Sequence, residues 1–239
     1  MTKLTQRGQA GVTTDLEIRR RARILLRTDG HDAVTLRAIA RALGITAPAL
    51  YRYYDSREDL LRQLCDDICA DLSHELARRV QHVAPDAFAE RVTETCRGLR
   101  TWAVAHPREF TLVFATPPSA DAQSPTVGQD EFAGVFLSLA GPLLVEGTAM
   151  TPARPVPGEF LSTVEHHRTA LAEACVAHGL DLAPEDIRAG HVYALLQWWI
   201  RIYGHIALEV FGRFPFDVRH AEVLFEVLLT DLVHDIELS

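Results

Sequence analysis

Along residues 34–54 the sequence sets hydroxyls and guanidiniums among apolar positions and carries no carboxylate: Thr35, Arg37, Thr46, Tyr51, Arg52 and Tyr53, with Arg57 shortly after. All of these side chains donate hydrogen bonds, and Arg offers a planar fork that fits a phosphate or the O6/N7 edge of guanine. Ala47, Pro48 and Ala49 lie among them and give the apolar contact that a thymine methyl takes. No Asn or Gln stands between residues 46 and 54, so the paired amide contact to adenine is missing. The chemistry on offer is phosphate and base-edge contact.

Those residues need short, firmly docked helices behind them. From Leu16 to Asp29, apolar Ile18, Ala22, Leu25 and Leu26 recur at helical spacing, and Arg19, Arg20, Arg21, Arg23 and Arg27 fill a basic outer face. Gly30 ends this helix. Thr35 then caps a second one, Val34 staples against Ile39, and Leu36, Ile39, Ala40 and Leu43 form its buried stripe. After the break at Gly44, Thr46 stands at an N-cap and Pro48 is tolerated in the first turn, where amides have no intrahelical partner. The third helix runs to about Tyr54, with Leu50 and Tyr54 turned inward and Ala47 to Ala49 and Tyr51 to Tyr53 outward. Ser56 caps a fourth, with Asp59 completing a capping-box pattern, and Leu60, Leu64, Ile68, Leu72 and Leu76 carry it towards Val83 as a long connector. Two short helices across a glycine turn, preceded by an amphipathic helix, make a helix-turn-helix unit.

Charge is divided to match. Residues 1–62 hold 12 Lys and Arg against 7 Asp and Glu, a net of +5; the other 177 hold 12 against 25, a net of −13, giving −8 for the 239-residue chain. Nucleic-acid contact depends on local basic surface, so the basic end is the expected contact and the acidic body would repel a polyanion. No apolar run follows the early basic residues, and no segment offers about 18 uninterrupted apolar residues, so the chain reads as soluble and cytoplasmic. Cys65, Cys69, Cys96 and Cys175 are scattered through helical segments and read as reduced, packed thiols. Cys65 and Cys69, one turn apart, carry a redox alternative that no basic neighbour supports.

The fold class expected is all-α, with a DNA-binding domain at 1–62 and a larger helical domain at 63–239. In the larger domain, helices are expected at about 86–105, 107–115, 131–145, 158–178, 184–211 and 217–236, with loops at 116–130 and 147–158.

Val34 to Leu61, VTLRAIARALGITAPALYRYYDSREDLL, closely resembles the helix-turn-helix of tetracycline-repressor-type (TetR) regulators. The resemblance rests on Thr35, Ala42 to Gly44, Thr46, Leu50-Tyr51, Tyr54, Ser56-Arg57-Glu58 and Leu60-Leu61. A second, weaker likeness covers Ala105 to Phe114 and Trp198 to Gly212. It is to the C-terminal domain of a TetR subgroup named for a Trp and a His-Gly pair, and Tyr203 stands where that subgroup carries the histidine.

The resemblance implies a homodimer that binds a palindromic stretch of double-stranded operator DNA and lets go when a small apolar or aromatic effector binds. Arg37 matches a position that reaches a base edge or a phosphate in the family, and by their side-chain chemistry Arg52 would reach bases, Ala47, Pro48 and Ala49 thymine methyls, and Thr35, Thr46, Tyr51, Tyr53 and Arg57 phosphates. The last two helices would form the dimer bundle, with Ala221, Phe225, Leu228 and Leu232 on one face and Leu224 and Leu229 widening it. Candidate effector contacts are Trp102, Phe110, Phe114, Phe136, His166, Trp198, Trp199 and Tyr203. Neighbouring His166 and His167 project about 100° apart on a helix and cannot chelate one ion together, so neither a metal nor a cofactor is expected. An activator or a ligand-independent regulator remains open. A helical enzyme using Cys96 or Cys175 with a histidine would need a nucleophile–base motif the sequence lacks.

Overall fold

The computed structural model describes residues 3–84, 86–115, 156–177 and 181–237, with side chains from residue 14 to 235 within these spans. Among the described residues all regular structure is helical. The helices are α1 (Lys3–Asp29), α2 (Leu36–Leu43), α3 (Ala47–Leu50), α4 (Arg57–Val80), α5 (Phe88–Ala105), α6 (Pro107–Ala115), α7 (Gly158–Ala177), α8 (Ala189–Val210) and α9 (Ala221–Glu237), with 3-10 turns at His31–Ala33 and Pro184–Asp186. The helix expected at 131–145, the loops around it and the candidate Phe136 lie outside the described residues.

Two compact units form, one joining the chain through Ile68 to α6 from Arg108, the other joining Cys69–Pro107 to α7, α8 and α9. In the first unit Ile18, Ala22, Leu26, Val34, Ile39, Leu50 and Leu60 are fully buried. Each Leu or Ile among them contributes roughly 1.5–3 kcal/mol. Gly44, at φ +67°, takes the left-handed conformation that ends α2, and the Ile45 amide donates back to the Ala40 carbonyl at 3.0 Å.

In the second unit α5 turns Val92, Cys96, Leu99 and Trp102 inward, α8 turns Leu195, Trp198, Ile202 and Ile206, and α9 turns Phe225, Leu229 and Leu232. Arg97 on α5 holds Glu226 on α9 at 2.7 Å, and Arg100 holds Glu209 on α8 at 2.6 Å. The edge of Phe160 on α7 meets Tyr193 on α8 with ring centres 5.2 Å apart.

Several element boundaries differ from expectation. Helix α1 starts at Lys3 rather than Leu16, since no proline interrupts the run and Gly8 and Gly11 cost only about 1 kcal/mol each. Helix α3 is one turn long and ends at Leu50, because the amides of Arg52 and Tyr53 bond three residues back, to Ala49 and Leu50, and tighten the chain. The stretch from 184 is a 3-10 turn followed by extended Ile187, whose buried side chain pulls the backbone out of helix before Ala189. Helix α9 begins at Ala221 rather than 217, after the irregular Phe214-Pro215-Phe216 run.

Candidate nucleic-acid interface and sensing residues

The turn expected to meet DNA is anchored at both ends and bare between them. Leu50 is fully buried and Tyr54 nearly so, while Tyr51 is 57% exposed and Tyr53 36%. Arg37, Thr46, Pro48 and Arg52 are exposed as well, and Ala47 and Ala49 are half-buried. The inward and outward assignment made from spacing therefore describes the observed side chains.

Two hydroxyls at cap positions behave differently. Thr35 Oγ1 accepts from the Ala38 amide at 3.1 Å, capping α2, whereas Thr46 at the start of α3 makes no side-chain cap bond. Its hydroxyl is left to face solvent. Ser56 Oγ accepts from the Asp59 amide at 3.0 Å, but the Asp59 carboxylate accepts from the amide of Asp55, one residue before the cap, at 3.3 Å.

Arg57 was expected at a phosphate, and much of its guanidinium is spent internally. Its Nε donates to the Val34 carbonyl and its NH2 to the His31 carbonyl, both at 2.7 Å, fixing the turn that leads into α2. Arg19 and Arg23, read as part of a solvated basic face, also turn inward, with side chains only 15% and 24% exposed, because carboxylates wait for them. Arg20, at 73%, and Arg27, at 47%, stay solvated.

Arg19 is the hub of a network the sequence did not disclose. Its NH1 donates to Asp15 Oδ2 at 2.6 Å and its Nε to Asp67 Oδ2 at 2.6 Å, and NH1 also reaches Gln63 Oε1 at 3.3 Å. Tyr54 donates its hydroxyl to Asp15 Oδ1 at 2.6 Å. Burial first, then this bond to Asp15, push the Tyr54 hydroxyl well above its usual pKa, so it stays protonated and donating. The available signals were the i, i+4 pair Asp15/Arg19 and a buried tyrosine, whose hydroxyl requires a partner.

Seven of the eight candidate sensing residues lie among the described residues, Phe136 being the exception. Trp102 and Trp198 are buried in the second unit, where Arg201 lies 4.7 Å over the Trp198 ring and Trp199 stacks on Tyr203 at 6.0 Å. Phe110 and Phe114, in the first unit, stack at 4.8 Å. His166 is exposed on α7, its ring edge-on to His167. A cavity of about 480 Å³ beside the α8–α9 turn is lined by Arg100, Glu209, Phe214, Phe216 and His220, among others, and by none of the nominated residues. Burial pushes the Cys65 and Cys96 thiols up to about 12 and raises Cys175, which makes all three poor thiolates. Among the described residues no cluster of His, Cys, Asp and Glu has the makings of a metal site, and no helix is long and apolar enough to cross a membrane.

Residues 18–64 match the family described as bacterial regulatory proteins, tetR family, and residues 92–232 match the tetracyclin repressor-like C-terminal domain. The chain belongs to the TetR family. Relatives from Mycobacterium bovis and Mycobacterium tuberculosis, each named an HTH-type transcriptional regulator, are 30% identical over 196 residues, covering 79% of this chain and 77% of theirs. A solved regulatory protein shares the fold at a TM-score of 0.65 and 26% identity, over 94% of this chain and 97% of that one. A Rhodococcus protein of unknown function shows the same fold at 0.53 and 18%, over 93% and 92% of the two chains. This TetR-family chain is thus a DNA-binding transcriptional regulator with an N-terminal helix-turn-helix and a larger helical C-terminal domain.

Proposed function

We propose that the protein is a cytoplasmic homodimeric repressor that binds a palindromic operator and is released by a small apolar or aromatic ligand. The observation that carries this reading is a pair of surfaces. One is the bare turn Tyr51-Arg52-Tyr53 held between buried Leu50 and Tyr54. The other is the apolar face that α8 and α9 leave uncovered in the single chain: Ile200 is 61% exposed, Val223 59%, Leu224 49% and Val227 56%. Val223, Leu224 and Val227 fall on one side of α9, opposite buried Phe225, Leu229 and Leu232.

One reading turn makes too few contacts for high specificity, and a two-fold pair of turns on matching half-sites supplies the rest. Arg37 and Arg52 read bases, Ala47, Pro48 and Ala49 touch thymine methyls, and Thr35, Thr46, Tyr51, Tyr53 and the remaining nitrogen of Arg57 hold phosphates. Trp102, Trp198, Trp199 and Tyr203 favour an aromatic effector. That effector must prefer the conformer with misplaced reading turns, since equal affinity for both shifts nothing.

The test begins with duplexes that the protein enriches from a random-sequence pool. Operator binding should be salt-sensitive, palindromic in sequence preference and abolished by Arg52→Ala together with Tyr53→Ala. A double variant that binds as the parent does would sink the assigned face, and a regulated promoter that stays silent when the gene is deleted would sink the repressor reading.

A further inference from the structure

We infer that Arg19 is a positioning residue for DNA reading, acting through Tyr54 and touching no DNA itself. The residues that face the groove sit on a turn of only three, Tyr51 to Tyr53, beyond a helix of a single turn. So short an element has little stiffness of its own, and its aim is set by what holds its ends. At one end Leu50 is buried among apolar side chains, and apolar contact fixes depth without fixing direction. At the other, the Tyr54 hydroxyl is bonded at 2.6 Å to one oxygen of Asp15, a contact that loses strength as its angle opens.

Asp15 is itself aimed. Its second oxygen takes Arg19 NH1 at 2.6 Å, while Arg19 Nε is held by Asp67 of α4 at 2.6 Å and NH1 also meets Gln63. A guanidinium with several fixed donors can therefore tie α1, α4 and the end of the reading turn into one orientation, which a point charge on a flexible stem cannot do. The charges exclude the rival role of phosphate contact. Arg19 is one cation between two carboxylates, its side chain is 15% exposed, and the group as a whole is negative. A phosphate would be repelled from it. Loss of this network should therefore damage the fit to one sequence and leave general attraction to DNA intact, because that attraction comes from the exposed arginines.

This inference rests on the reading turn proposed above, and the experiment separates the two. The probes are a duplex enriched by the parent protein from a random pool and a scrambled duplex of the same composition, each titrated at several salt concentrations. Tyr54→Phe keeps the packed ring and deletes only the hydroxyl, and Arg19→Met keeps the stem and deletes the fork. Each should lower affinity for the enriched duplex about tenfold, the scale of one charge-assisted hydrogen bond, with scrambled-duplex affinity and salt slope unchanged. Combined, they should cost little more than either alone. An unchanged ratio of enriched to scrambled affinity in Tyr54→Phe, or additive losses, would overturn the role of Arg19, and the Tyr54→Phe result stands by itself if Arg19→Met does not fold. Failure of the reading turn is recognised separately, as normal binding by the Arg52→Ala, Tyr53→Ala protein.

Discussion

Arg23 Nε donates to Glu109 Oε1 at 2.7 Å, and Glu109 is completely buried. The same oxygen lies 3.0 Å from Arg27 Nε, while Oε2 has no hydrogen-bond partner. Helix α6 is joined to α1 inside the first unit by one carboxylate shared between two arginines. Taking Arg23 away leaves the buried carboxylate with Arg27 alone, which is 47% exposed and the weaker support. Arg23→Ala should lower stability by roughly 2–4 kcal/mol and Arg27→Ala by less. Urea unfolding of the two variants checks the order; equal losses would mean that the shared carboxylate is not the point of attachment.

The two cap threonines should separate structure from DNA contact. Thr35→Ala removes the bond to the Ala38 amide and should cost about 1 kcal/mol. Thr46 makes no such bond, so Thr46→Ala should leave the unfolding midpoint in place while weakening DNA binding. A destabilised Thr46→Ala protein would show that its hydroxyl is structural after all.

Charge placed on the uncovered face of α9 should split the pair. Val223→Glu with Val227→Glu puts carboxylates at positions 59% and 56% exposed in the single chain, so each chain should still fold. Sedimentation should then report monomers, and operator affinity should fall by more than about tenfold because half the contacts are lost. Dimers that persist with unchanged affinity would place the interface elsewhere.

His205 gives stability a pH dependence. Burial, then the nearby Arg100, hold its pKa below the ordinary 6.5 although Glu209 pulls the other way, and its ring sits between Phe214 and Phe225. Burial and Arg188 lower His191 likewise. A histidine whose folded pKa is depressed binds its proton more readily when unfolded, so its stabilising contribution is full above 6.5 and is lost as pH falls below it. Thermal unfolding should therefore shift downward on acidification through that window. His205→Asn, which keeps a donor near the Nδ1 position, should flatten the slope, and an unaltered slope would assign the effect to other groups.

Much of the first unit was legible in the sequence because its signals are local. Glycines at 30 and 44, the cap at Thr35 and apolar residues three and four apart act over one turn of helix, and these placed α2, the start of α3 and the inward Leu50 and Tyr54 correctly. On α9 the stripe named for the dimer bundle is divided in the single chain, with Phe225, Leu229 and Leu232 buried and Leu224 49% exposed. Local rules failed where neighbours distant in sequence decide the outcome. A row of arginines on α1 has the periodicity of a solvated stripe whether or not carboxylates wait opposite, so Arg19 and Arg23 were misread.

What the sequence determined by itself is the family, the helical class and the outward face of the reading turn, since each is written in spacing that repeats within a few residues. Only the tertiary structure decided that Arg57 braces the turn before α2 and that Arg19, Asp67 and Tyr54 meet. The physical reason is the reach of the interaction. A helix cap or stripe is settled by residues that are neighbours along the chain, whereas an ion pair across 48 residues exists only once the packing of other side chains has brought its partners within 2.6 Å.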